Sequence, residues 1–87
     1  MDDLTRSTPL PQAAAAGAAS GVAAWRGRFA RKHVTARLFE GLAAQMKRAA
    51  FDAADVDACA LIAEEERVHA ILCGAVLESL GAEAHVP

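Results

Sequence analysis

An all-α fold, an antiparallel two-helix hairpin that serves as half of a four-helix bundle, follows from three features of the sequence. Alanine supplies 23 of the 47 apolar residues in an 87-residue chain that has no Tyr, one Trp and three Phe. That composition favours helices and disfavours strands. Val34, Leu38, Leu42 and Met46 recur every four residues, the spacing that lines one side of a helix. A break at Phe51-Asp52-Ala53-Ala54-Asp55 then separates two helical stretches by a loop short enough to force them antiparallel.

Taken in order, residues 1–21 carry Pro9, Pro11 and an Ala/Gly/Ser stretch with no bulky face to bury, and read as a flexible tail or a context-dependent helix. The hairpin domain is expected over residues 22–87. Its first helix runs from Val22 to Ala50, interrupted only by Gly27 and Gly41. Asp52 or Asp55 is placed to cap the second helix, and Asp57 adds negative charge near its start. That helix runs from about Ala53 to Leu80, and Gly81 stands where a left-handed residue ends it. Two helices of this size are each roughly 40 Å long.

The core such a hairpin can build is thin, because only 24 apolar residues are larger than alanine. Chains below roughly 70 to 80 residues need a disulfide, a metal or a partner chain to fold well. Residues 22–50 carry seven basic groups against Glu40, whereas residues 51–87 carry eight acids against Arg67, so the halves attract each other within a hairpin or between chains. A homo-oligomer, or a second helical pair supplied from outside the chain, is the expected remedy.

Several partner classes are disfavoured. The formal net charge of -2 gives no general drive toward nucleic acid or an anionic membrane. Arg26, Arg28, Arg31, Lys32 and Arg37 are interleaved with only two aromatics and read as a solvated basic face. No apolar run approaches a membrane span. Cys59 and Cys73 are fourteen residues apart on one helix, roughly 21 Å along its axis, and cannot bond there. Unpaired thiols and the absence of a secretory signal pattern after Met1-Asp2-Asp3 lead to the expectation of a cytoplasmic protein.

Stepping 100° per residue along the second helix puts Ile62, Cys73, Val76 and Leu80 in one sector, with Glu66 and His69 inside it and Glu65 at its border. A carboxylate and an imidazole three residues apart project to neighbouring points and can reach one metal ion. Glu-x-x-His is the unit that di-metal carboxylate bundles repeat. A Glu-His ion pair in the core satisfies the same spacing without a metal.

The run Ala63-Glu64-Glu65-Glu66-Arg67-Val68-His69-Ala70-Ile71-Leu72-Cys73, followed by Leu80-Gly81-Ala82-Glu83, resembles the second helix of bacterial ferritin-like and rubrerythrin-like proteins. The stretch from His33 to Met46 resembles their first. The likeness covers about residues 25–86, and its chemically pointed part is Glu66-x-x-His69. It implies a half-domain of the di-iron carboxylate superfamily with Glu66 and His69 as metal ligands. It also implies a glutamate from the first helix. Glu40 is the only acid there, while the family spacing points instead to Lys32 or His33, and a lysine would repel a cation. The candidate ligands are therefore Glu66 and His69, with Glu40, His33 and Glu65 as further members.

The function expected from this resemblance is iron binding at a site completed by self-association, with manganese or zinc as alternatives and a ferroxidase-type oxidation of paired irons as the activity. The rival expectation is a metal-free helical interaction or scaffold module, or a truncated ferritin-like domain that has lost the site.

Overall fold

In the computed structural model, residues 11–87 are described, without the side chains of residues 11–16 and 18. Two helices, α1 (Pro11–Arg48) and α2 (Ala53–Ser79), pack against each other as a hairpin. No strand occurs among the described residues. The expected all-α, two-helix hairpin is the architecture observed.

The α2 boundaries match those read from the sequence to within a residue, but α1 begins eleven residues ahead of Val22. Alanine is the best helix former, and adding its residues to a helix already nucleated by packing is easy. The remainder of the expected tail, residues 1–10, lies outside the described residues. A β-carbon on Gly21 would lie 3.9 Å from Leu80, so α2 ends level with Gly21 and α1 continues past it.

Both helices end in the same hydrogen-bonded turn. At the hairpin, Ala50 N–H donates to Lys47 O and Phe51 N–H to Met46 O. At the end of α2, Gly81 N–H donates to Glu78 O and Ala82 N–H to Leu77 O. The motif needs a left-handed residue at its centre. Gly81 supplies it at φ 84°, whereas at φ 61° the same position is held by Ala50, where a β-carbon costs roughly 1–2 kcal/mol. Asp52 is the N-cap of α2 and works through its carbonyl, which accepts from the Asp55 and Val56 N–H groups, and its side chain makes no capping bond.

The helices meet through small residues. Ala36, Ala43, Ala63 and Ala70 are all buried, and Met46 against Cys59 and Phe29 against Gly74 fix a register that sets Ala36 level with Ala70 and Ala43 level with Ala63. The packing face of α2 thus runs through Ala63, Ala70, Gly74 and Leu77 rather than through Ile62 and Leu80. Shape decides this, because an alanine seam lets the backbones approach closely while bulky side chains would hold them apart. Cys73, placed in the apolar sector by the sequence, is buried.

The larger core lies at the open end. Phe29, Cys73 and Leu77 form it, with Val22, Trp25, Ala82 and Ala84 packed around them. Trp25 packs against the Phe29 cluster, and the Arg28 guanidinium stacks 4.5 Å from the Trp25 ring centre. After Gly81 the chain turns back as a strap along α1. Arg26 donates to the Glu83 carbonyl, Arg37 to the Pro87 carbonyl, and Ala84 lies against the place where Gly74 lacks a side chain.

Candidate functional site

The seam has two flanks, each marked by one ion pair between the helices. Lys32 of α1 pairs with Glu66 of α2, its Nζ 3.2 Å from Oε2 and 3.4 Å from Oε1. Glu40 of α1 pairs with Arg67 of α2 at 2.8 Å, and Arg67 also binds Glu64 at 2.6 Å. At 100° per residue Lys32 and Glu40 fall on opposite sides of the Phe29, Ala36 and Ala43 line, and Glu66 and Arg67 on opposite sides of the Ala63, Ala70 line. The pairs therefore flank the seam left and right. The strap partners Arg26 and Arg37 project toward the Glu40 flank. The Lys32 flank carries no strap.

On that bare flank the expected Glu66 and His69 do meet. His69 Nδ1 is 3.0 Å from Glu66 Oε1, the same oxygen that faces Lys32. Glu66 is the most enclosed member, its side chain 15% exposed against 38% for Lys32 and 52% for His69. The hydrogen bond from His69 and the Lys32 charge hold the Glu66 carboxyl below its ordinary pKa, against the opposing effect of partial burial. On the helix wheel the apolar side chains of this flank are Phe39, Leu42 and Met46 of α1 and Ile62 and Val76 of α2. Leu42 is 40% and Ile62 39% exposed.

The other three candidates are not gathered here. Glu40 is engaged by Arg67 on the opposite flank. His33 meets Phe29 edge to face, ring centres 4.6 Å apart. Glu65 is exposed and has no ion-pair or hydrogen-bond partner among the described residues. Among the described residues no group of three or more His, Cys, Asp or Glu is placed to hold a metal ion. A carboxylate-imidazole pair supplies two ligands, and the third member of the cluster, Lys32, is an ammonium group that donates and cannot ligate. A single hairpin therefore does not fit the iron that the family resemblance implies.

Sequence reasoning had the elements of this cluster but weighted them differently. Lys32 entered as an obstacle to metal binding, and its direct bridge from α1 to Glu66 was visible only in the register. The strap over the other flank had no signal in residues 82–87, which are short and lack periodicity. Compared with known proteins, the chain matches no family model, no curated protein and no solved structure. No helix among the described residues is long and apolar enough to cross a membrane.

Proposed function

We propose that the chain is a self-associating helical half-bundle, a metal-free interaction module in which two hairpins pair through their bare flanks to complete a ferritin-like four-helix bundle. One observation carries the reading: the flank without a strap carries Leu42 and Ile62, both substantially exposed, beside an already paired Lys32-Glu66-His69 cluster. The molecule is one layer of helices, about 20 by 13 Å in cross-section. Domains are normally built from at least two packed layers.

A second copy suits this surface better than an unrelated helix. A two-fold partner presents the same apolar stripe, and an axis at the level of the cluster would set it against its counterpart. Charges at the cluster are already compensated within each chain, so pairing does not bury an uncompensated ion.

The second reading is a ferritin-like iron protein, with manganese or zinc as alternatives and a ferroxidase-type activity. The 3.0 Å approach of His69 to Glu66 favours it, since two copies would bring two such pairs together. In that case Glu66 and His69 would hold the metal, which supplies redox chemistry when bound. Mass and bound metal measured on one purified sample separate the readings. A dimer without stoichiometric metal supports the interaction module. Iron that is present in the wild type and lost in a Glu66→Ala/His69→Ala double variant overturns it in favour of the second reading, and a mass equal to one chain sinks both forms of self-association.

A further inference from the structure

The metal-free reading raises the question of what stabilises an enclosed carboxylate in the middle of an apolar flank. Glu66 has two oxygens, and both face Lys32 Nζ, at 3.2 and 3.4 Å. Oε1 is shared with His69 Nδ1. The ammonium thus stands in front of the carboxylate as a chelated cation would, and on the side where the imidazole also arrives. It is the sole member of the cluster contributed by α1, so it also ties the two helices together at this level. Lysine presents a compact point charge on a flexible stem, suited to filling such a place without the planar geometry that Arg would impose.

We infer that Lys32 is the resident cation of the Glu66-His69 pair, tethered in the place that a divalent metal would occupy, so that a carboxylate at position 32 converts the same cluster into a site for a first-row divalent metal. The geometry supplies the rest of the site. A Glu at 32 would project from the same point of α1 toward Glu66 and His69, giving two carboxylates and one imidazole from two helices. Oxygen and imidazole donors of this kind suit zinc, iron, cobalt and manganese, with zinc bound tightly among them. No residue beyond those in the single hairpin is needed. The inference builds on the metal-free part of the proposed function but does not depend on self-association.

Zinc titration of the full chain is the test, run on the wild type, Lys32→Glu, Lys32→Gln and Lys32→Glu/His69→Ala, with the mass recorded for each. The wild type should bind Zn2+ weakly, and Lys32→Glu at least about tenfold more tightly, a difference of about 1.4 kcal/mol. Removing His69 from that variant should abolish the gain, which added negative charge elsewhere would not explain. Lys32→Gln removes the ammonium and matches Glu in shape without its charge, and should raise Zn2+ affinity by a smaller factor even if Lys32→Glu fails to fold. Wild-type binding as tight as that of Lys32→Glu would overturn the inference. So would Lys32→Gln binding no more tightly than the wild type. A monomeric mass with the predicted order of zinc affinities would leave this inference standing while removing the self-association reading.

Discussion

The two halves of the hairpin are held together in different ways. At the open end, Phe29 and Leu77 fill a core, Gly74 makes room for the phenyl ring, and residues 82–87 close over one side. Toward the turn, alanines meet alanines, and larger apolar groups such as Leu38, Leu42, Leu61 and Ile62 remain exposed. At the open end Phe29 and Leu77 are covered within the chain, although Ile71 and Leu72 beside them stay exposed. In the turn half the bulky apolar residues stand outside the seam, and only small side chains are buried between the helices.

That contrast can be broken most severely at Leu77, the largest fully buried side chain. Leu77→Ala should cost about 2–5 kcal/mol. In so small a domain, denaturant melts should then detect little residual cooperative unfolding. In the alanine seam, Ala70→Leu forces a large group into a place where Ala70 is 0% exposed, and should cost about 1–3 kcal/mol by the same assay. A Leu42→Gln/Ile62→Gln pair acts on the exposed flank instead. It should leave the helical circular dichroism of each hairpin nearly unchanged while lowering the light-scattering mass to one chain. If it unfolds the chain as Leu77→Ala does, the two halves are not distinct in the way described.

Smaller effects sharpen the comparison at the turn and the cluster. Ala50→Gly relieves a left-handed alanine and should stabilise by about 1 kcal/mol, whereas Gly81→Ala, at the equivalent position of the open end, should destabilise by a similar amount. The smallest change concerns Glu66. Its carboxyl pKa is lowered in the folded chain, so its contribution is fully present above the ordinary carboxylate range and is lost as the pH falls through the lowered value. The stability difference between the wild type and Glu66→Gln should therefore shrink as the pH is taken from about 6 to about 3, as read from thermal midpoints.

The fold was legible because its signals are local. Alanine content, the four-residue spacing from Val34 to Met46, the break before Asp52 and the glycine at 81 each act within a turn or two of helix. The turn residue Ala50 was not legible, since alanine carries no sign of a left-handed backbone. Helix orientation was legible only in part. A hydrophobicity wheel favours Ile62 as a core residue, but close packing favours Ala63, and the wheel cannot weigh backbone approach against side-chain size. The cluster shows the same division. Glu66 and His69 share one helix, so their meeting was readable from spacing. Lys32 reaches them across the seam, and Glu40 is withdrawn by Arg67, through a register that no local pattern encodes.

The alanine seam also bears on how the register is chosen. Alanine loses no rotamer freedom when buried, so the seam forms without the side-chain ordering that leucines or methionines would require. The same property makes one alanine interchangeable with the next, and a smooth surface gives little resistance to sliding by a turn. Among the contacts between helices, Lys32-Glu66 and Glu40-Arg67 are specific to one alignment and lie on both flanks of the seam. Each is worth at most about 1 kcal/mol as a partly exposed pair. Together with Phe29 seated at Gly74, they act as detents that hold the smooth middle of the seam at one notch.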